Sequence, residues 1–368
     1  MQIPFNELLE LATQVFQSAG CRPEEAHHVS ERLVEANLVG HDSHCVLRIP
    51  SYVQWLADGK VLANQNAEVI TSSDAITVVD GKFGLGQTIG EQAVQIGINK
   101  ASRHGVAVVA LRNSGHLGRI GDWAEQAAAA GIISLHFVNT SGAGMLVAPF
   151  GGIDRRLSAN PLAIGVPRED DAPIILDMSA CTIAEGKIRV ALNHGLPVAE
   201  GCLIDADGKP TTNAKEFYAD PPGAIFPVAG HKGSGLSLMI ELLAGALTGS
   251  SCSDPANASR VANGMLSIFI DCSFFGDSSD FFPEVRQYIE FVKTSRTTLP
   301  DGEILMPGEI EARTRVQRMS DGITLDDVTW AQIYATARHL DVQHDYEKPA
   351  IQEDPGNDCI TMPGCRIL

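Results

Sequence analysis

The sequence predicts a mixed α/β protein in which helical segments from both ends pack together and an α/β body is inserted between them. Three observations carry this. Apolar residues recur at helical spacing through the first 60 positions, β-like and helical runs alternate between about residues 75 and 138, and helical patterns return after about residue 283. No internal repeat or low-complexity linker interrupts the chain.

In order along the chain, Phe5, Leu8, Leu9, Ala12, Val15 and Phe16 share one face of a first helix that Gly20 ends. Pro23 suits the first turn of a second helix, in which Ala26, Val29, Leu33 and Val34 recur at three and four before Gly40. A third, short helix after His44 carries Leu47, Tyr52 and Leu56. Residues 75–79 form a β-like run, 87–102 a helix, 106–111 a second β run, 118–130 a helix and 132–138 another strand. The stretch 141–230 is rich in Gly and Pro, with short β-like runs at 162–166 and 174–176. An apolar helix at 233–247 and a strand at 265–270 follow, then helical patterns at about 283–293, 309–319 and 325–340. From Gln343 the chain is polar and reads as an extended tail. The expected division is 1–70 and 306–345 for the two parts of the helical domain, 71–305 for the α/β domain and 346–368 for the tail.

Composition bounds the function. The 368 residues include 27 basic and 45 acidic side chains, a formal net charge of −18, which argues against nucleic acid or an anionic membrane surface as a partner. No stretch approaches the ~18 continuous apolar residues of a membrane span. The opening MQIPFNELLELATQVF is acidic and amphipathic, unlike a basic segment followed by an apolar block, so the expectation is a cytoplasmic protein without a signal peptide. The eight cysteines stand at 21, 45, 181, 202, 252, 272, 359 and 365 with no C-x-x-C pair, and read as free thiols rather than a disulfide framework or zinc site. Pairing or reaction of Cys359 and Cys365 in the polar tail stays open.

One motif tempts and fails. Gly84-Leu85-Gly86-Gln87-Thr88-Ile89-Gly90 follows a β run and opens a helix, as a dinucleotide-binding turn would. That turn needs a small third residue so that helix and strand can touch, and Ile89 stands there. The acidic residue expected after the next strand is also missing, since that strand ends Leu111-Arg112-Asn113. A tight glycine turn is the better reading.

Several polar residues can carry chemistry. If residues 43–53 are helical, His44, Arg48 and Tyr52 lie four apart on one face. Such a stripe suits a small 2-oxo acid: Arg grips its carboxylate with two hydrogen bonds, and His donates a proton to the neighbouring carbonyl oxygen. The alternatives are a solvated helix face, or a metal site built on His41, Asp42 and His44, for which no third ligand of matched spacing is evident. Asn113-Ser114-Gly115-His116-Leu117-Gly118 is a polar turn between strand and helix. His116 there either meets a ligand or caps the next helix. Weaker sites are Asp177-Met178-Ser179 at a strand end, His231-Lys232-Gly233 before an apolar helix, and Pro307-Gly308-Glu309 at a helix start.

Taken together these segments resemble the malate/L-lactate dehydrogenase family that is unrelated to the Rossmann-fold lactate and malate dehydrogenases. The likeness spans about residues 3–342. It rests on ANLVGHDSH with Arg48 and Pro50, GLGQ, NSGHLGRIGDWAEQAA, APFGG, SANP, LDMS, GHKGSGL and PGE, in that order. The phrases SLHFVN, GCLIDADGKPTTN and IPSYV are most similar to its hydroxycarboxylate dehydrogenase B branch.

The resemblance implies a non-Rossmann nicotinamide-binding domain with a mainly antiparallel sheet, beside a helical domain built from both termini. It also implies a homodimer acting on a small 2-oxo or 2-hydroxy acid, with NAD or NADP as cofactor and no metal. By motif, His44 matches the proton donor of some members and His116 the acid/base of others. The expectation is that protonated His44 donates while His116 orients or shares the role, with Arg48 and Tyr52 at the substrate. Ser43, Thr140, Asp177, Met178, Ser179, Lys232, Gly233, Gly308 and Glu309 match cofactor-holding places. Two alternatives remain: a cyclic ketimine (piperideine-2-carboxylate) reductase using the same pocket, and a metal-dependent lyase or binding protein. The sequence departs from the family at Cys45, where glycine is usual, and at Gly115, where Asn or His is common. A thiol fits at 45 only if the backbone there does not need positive φ.

Overall fold

A computed structural model describes residues 1–142, 144–169, 171–255, 261–276 and 278–343. The tail 346–368, with Cys359 and Cys365, lies outside the described residues.

The strands are β1 (Gln2–Ile3), β2 (Glu68–Ser72), β3 (Ile76–Asp80), β4 (Val106–Ser114), β5 (Ile133–Gly142), β6 (Leu162–Val166), β7 (Ile174–Met178), β8 (Leu203–Ile204), β9 (Pro210–Thr211), β10 (Ala224–Ile225), β11 (Val261–Ile270) and β12 (Ile323–Thr324). The helices begin with α1 (Phe5–Ser18), α2 (Pro23–Leu38), α3 (Ile49–Ala57), α4 (Gly86–His104), α5 (Gly121–Ala129) and α6 (Glu185–His194). After them come α7 (Ala214–Phe217), α8 (His231–Ile240), α9 (Ser278–Lys293), α10 (Glu309–Asp321) and α11 (Asp327–His339).

The first core joins the two ends of the chain. Leu8, Leu11, Val15 and Phe16 of α1 pack with Val29, Leu33 and Val34 of α2, Ile49 and Tyr52 of α3, and Trp330 and Ile333 of α11. The union is helped by a two-residue ladder between β1 and β12, with Ile3 opposite Ile323. Asp326 starts α11 by accepting the Thr329 amide at 2.9 Å.

The second core lies under a seven-stranded sheet of order β2-β3-β4-β11-β5-β6-β7. β3 and β4 run parallel, and every other neighbouring pair is antiparallel. Helices α4 and α5 cover one face, setting Ile89, Val94, Ile98 and Trp123 on Val109, Leu111, Met265 and Phe269. Contact is close because Gly97 faces Phe269 and Gly90 faces Trp123, where an added Cβ would sit 2.1 and 2.5 Å from the rings. A small sheet of order β10-β8-β9 packs with α6 and α7 as a third core.

Three expectations need correction. The stretch 141–230 contains the ten-residue α6, which its Gly and Pro content concealed. The helix expected to hold residues 43–53 begins only at Ile49, preceded by a 3₁₀ turn at Val46–Arg48. Cys45 is extended there (φ −102°, ψ −156°), and Pro50 in the first turn of α3 offers no N–H to an earlier carbonyl. The apolar helix at 233–247 starts two residues sooner and passes into a π-helical stretch at Glu241–Leu247. Among the described residues no helix is long and apolar enough to cross a membrane.

Candidate active site

The loop between α2 and α3 is pinned from several sides. Asn37, buried near the end of α2, donates to Asp42 Oδ1 at 3.0 Å and accepts the Val46 amide at 3.3 Å. Arg318 of α10 grips both oxygens of Asp42 at 2.7 and 3.0 Å. Cys45 is buried, with negative φ, and its thiol donates to the Asp42 carbonyl at 3.0 Å, so a side chain fits where the family has glycine. Burial pushes that thiol up to about 12, which keeps it protonated. Gly186 lies against Ser43, where a Cβ would come within 2.6 Å, so α6 closes over the loop.

The opposite wall is the turn between β4 and α5. Gly115 donates to the Gly84 carbonyl at 2.8 Å, and a Cβ on Gly86 would lie 2.1 Å from the His116 carbonyl oxygen. The two glycine turns therefore press together and carry His116 to the first wall. There the rings of His44 and His116 stack, centroids 5.5 Å apart and planes within 9°. Ser43 Oγ meets His44 Nδ1 at 2.8 Å. Tyr52 Oη meets His116 Nδ1 at 2.6 Å and accepts from Gln87 Nε2 at 3.0 Å. Tyr52 is buried, so its hydroxyl backs His116 rather than standing free beside a substrate.

Arg48 donates from Nε to the Ser43 carbonyl at 2.9 Å, and its Nη2 lies 3.9 Å from Glu185 Oε2. Glu185 also accepts from the Tyr218 hydroxyl at 2.7 Å and from Arg189 at 2.7 Å. Burial works against its ionisation, but Arg48, Arg189 and the hydroxyl outweigh that and hold its carboxyl below the usual range. Both stacked imidazoles are pushed the other way for a base. Burial, then the positive potential of His116 and Arg48, takes His44 well below its ordinary value. Burial and Arg48 take His116 down to about 3. Burial and the nearby guanidinium thus lower the proton affinity of both imidazoles in the free protein.

The remaining expected residues fall in two groups. His41, Asp42 and His44 diverge: His41 faces Asp177 at 3.9 Å and Glu311 at 3.3 Å, Asp42 takes Arg318, and His44 stacks on His116. No group of three or more His, Cys, Asp or Glu among the described residues is placed to hold a metal ion.

The cofactor candidates string along β7 and its surroundings. Pro307 accepts the Ile175 amide at 3.1 Å, which seats Gly308 (φ +95°) and Glu309 at the start of that strand. Glu309 accepts the Met306 amide at 3.0 Å and pairs with Lys293. Asp177 accepts the Gly121 amide at 2.8 Å. Met178 ends the strand and Ser179 follows it, and the next residue, Ala180, accepts from Val228 at 3.0 Å. Gly233 lies between these segments, where a Cβ would meet the Val228 carbonyl oxygen at 2.1 Å. Thr140 sits farther along, its carbonyl accepting from Ser253 at 2.8 Å and its hydroxyl from Asn263 at 3.3 Å. Lys232 is exposed in the first turn of α8, which has no side-chain cap. The amides of Lys232, Gly233 and Ser234 are already bonded to the Ala229, Val228 and Gly230 carbonyls, so what this helix start offers a phosphate is the lysine and the positive end of the helix dipole.

Three relevant residues were not singled out from sequence. Gln87 appeared inside the failed glycine motif and the GLGQ phrase, without a role of its own. Glu185 lay in a stretch read as Gly- and Pro-rich with short β-like runs, although Glu185 and Arg189 have the i, i+4 spacing of a helical ion pair. Glu311 follows the PGE motif by two positions.

Buried histidines also set an acid limit to stability. His136 lies between Ser134 and Ser267 inside the sheet at 2.9 and 2.8 Å, and burial takes it down to about 3, as for His116. In the unfolded chain such groups titrate near ~6.5, so there the unfolded state binds more protons. Their contribution is whole above that value and is lost as pH falls toward about 3. Thermal unfolding midpoints should fall steadily as the pH is lowered from ~6.5, and less so in a His136→Gln variant. A midpoint flat over that range would contradict this.

Comparison with known proteins accords with this geometry. A family model described as malate/L-lactate dehydrogenase matches residues 3–334. Hydroxycarboxylate dehydrogenase B of Escherichia coli (strain K12) is 42% identical over 330 residues, covering 89% of this chain and 91% of its own. A solved E. coli structure described as a malate/lactate dehydrogenase superposes with a TM-score of 0.89 at 40% identity, covering 92% of this chain and 95% of that one. The Δ1-piperideine-2-carboxylate reductase of Pseudomonas syringae pvar. tomato superposes at 0.78 with 30% identity, covering 92% and 100%.

Proposed function

Because this chain belongs to the malate/L-lactate dehydrogenase family, we propose that it is a 2-hydroxy acid dehydrogenase moving a hydride reversibly between NADH or NADPH and a 2-oxo acid. One observation carries the reading: two stacked imidazoles lie beside a guanidinium that is tied to the loop carrying one of them.

Arg48 has its Nε committed to Ser43 and its Nη2 facing Glu185 at 3.9 Å, beyond hydrogen-bond length, so its terminal nitrogens can turn to a substrate carboxylate. Gripping the carboxylate fixes where the adjacent carbonyl lies and brings it to the imidazoles. The nicotinamide, when bound, supplies or accepts the hydride. The protein then has to deliver one proton to the oxygen that becomes the hydroxyl. His44 is the residue for that task, and Ser43 Oγ holds its other ring nitrogen. Its proton enters with the substrate, because a bound carboxylate brings negative charge beside an imidazole that burial and Arg48 otherwise keep neutral. In the oxidative direction His44 takes the same proton back.

The cofactor would be held by Ser43, Thr140, Asp177 to Ser179, Lys232, Gly233, Gly308 and Glu309. The exposed Lys232 at a helix start supports an anionic group there. We assign the helical unit to residues 1–70 and 306–345 and the nicotinamide-binding unit, of non-Rossmann type, to 71–305. A homodimer accords with the exposed apolar face of Leu238, Met239, Leu242 and Leu247 along α8 and its π-helical extension.

A second reading is favoured by the similarity to a piperideine-2-carboxylate reductase. A cyclic imine with an adjacent carboxylate presents C=N where a 2-oxo acid presents C=O, and Arg48 would grip it in the same way. The test is a panel of 2-oxo acids and piperideine-2-carboxylate with NADH and with NADPH, followed by absorbance of the reduced nicotinamide. Oxidation with the 2-oxo acids is expected. Turnover of the imine alone would favour the second reading, and no turnover of either would overturn both.

A further inference from the structure

We infer that the Gly84-Leu85-Gly86-Gln87 turn sets the tautomer of His116: Gln87 and Tyr52 together make Nδ1 the acceptor and leave the proton on Nε2. The inference deepens the dehydrogenase reading and rests on it for its kinetic part only.

The proton count is short. Tyr52 carries one hydroxyl proton, and its oxygen already accepts from Gln87 Nε2 at 3.0 Å. Two acceptors compete for that proton: His116 Nδ1 at 2.6 Å and the His116 carbonyl at 3.4 Å. Were Nδ1 the donor instead, the hydroxyl proton would have only the carbonyl at 3.4 Å, beyond ordinary hydrogen-bond length, so the geometry favours Tyr52 donating to Nδ1. A neutral imidazole with Nδ1 accepting must carry its proton on Nε2. Among the described residues Nε2 has no hydrogen-bond partner, and His116 as a residue is only partly buried. It is available to donate to a ligand oxygen.

The glycines explain why this turn is built as it is. Gly86 must lack a side chain because the His116 carbonyl lies where its Cβ would be, and Gly115 must lack one because the Gly84 carbonyl does the same at 2.6 Å. Next to them Gln87 is buried, its backbone carbonyl facing His28 Nε2 at 3.2 Å, with His28 paired to Glu91 at 2.7 Å. Gly118 faces the amide nitrogen, where a Cβ would sit 3.1 Å away. The turn that fails as a phosphate cradle thus fits as a rigid mount for one amide donor. Gln87 and Tyr52 are positioning residues, and His116 is a neutral donor that polarises the substrate oxygen while His44 moves the proton.

The test reads the tautomer directly. In full-length protein labelled with ¹⁵N-histidine, long-range ¹H–¹⁵N correlations distinguish a protonated from a bare ring nitrogen, and the His116→Gln variant identifies the His116 signals by their loss. The expected wild-type pattern is bare Nδ1 and protonated Nε2. Gln87→Glu keeps the shape but, when ionised, can only accept. It draws the Tyr52 proton to itself, so Nδ1 should become protonated, with kcat lower by about 10- to 100-fold and KM for the oxo acid little changed. As pH falls and the new carboxyl protonates, it donates again and the loss should shrink, a dependence that a merely structural role would not produce. Tyr52→Phe removes the hydroxyl and should give both tautomers, which keeps the test decisive if Gln87→Glu does not fold.

A protonated Nδ1 in the wild type, or a Gln87→Glu protein with unmoved tautomer and kcat, overturns the inference. If wild type shows the expected tautomer but reduces no 2-oxo acid, the dehydrogenase reading fails and the mount stands. If it reduces them with the opposite tautomer, the mount fails alone.

Discussion

Replacing His44 by asparagine is expected to slow 2-oxo acid reduction by about 10²–10⁴-fold in the chemical step. The imidazole is the one group in the cleft that can gain a proton with the substrate and release it to the new hydroxyl. His116 has its Nδ1 engaged by Tyr52, and burial with Arg48 takes it down to about 3. Asparagine keeps a polar side chain beside Ser43 but cannot give up a proton near neutral pH. The measurement is single-turnover consumption of reduced nicotinamide with saturating oxo acid, which separates the transfer from product release. A rate equal to wild type would remove His44 from the role. Substrate binding to the wild type should also draw a proton from solution, visible by calorimetry in buffers of different ionisation enthalpy, and this uptake should vanish in the variant.

Arg48→Ala is expected to weaken transition-state binding of carboxylate substrates by about 2–5 kcal/mol, roughly 30- to 4,000-fold in kcat/KM. Glu185 loses one of its positive neighbours, but Arg189 and the Tyr218 hydroxyl still hold it at 2.7 Å each, so the fold should survive. The control is the methyl ester of the same oxo acid, which has the same carbonyl and no charge to grip. Its rate should change little, and an equal loss for acid and ester would show that Arg48 does not read the carboxylate. Arg48→Lys should recover only part of the loss, because an ammonium lacks both the fork and the Nε donor that ties the side chain to Ser43.

Much of the cleft was legible in the chain itself, in pieces. His44 and Arg48 were marked by their spacing, and they do face one site, though not by the expected route. An unbroken helix from residue 43 would have stacked them, whereas the extended Cys45 and the 3₁₀ turn break that helix. Arg48 returns to the loop by bonding the Ser43 carbonyl instead. Tyr52 was assigned to the substrate by the same stripe, and in the fold its hydroxyl is used behind His116. Glu185 and Gln87 were invisible as site residues because nothing local distinguishes a glutamate or glutamine on a helix from any solvated one. Only packing reveals them.

By itself the sequence determined the local order: which stretches alternate as strand and helix, which faces are apolar, and that the glycine turn at 84–87 departs from a dinucleotide fingerprint. Those follow from side-chain period and from backbone sterics, which act over a few residues. Tertiary structure alone decided that His44 stacks on His116 across 72 positions of chain and that burial lowers the proton affinity of both imidazoles. Proton affinity depends on how much water is removed and which charges lie within a few ångströms, and those are properties of the assembled walls rather than of any segment.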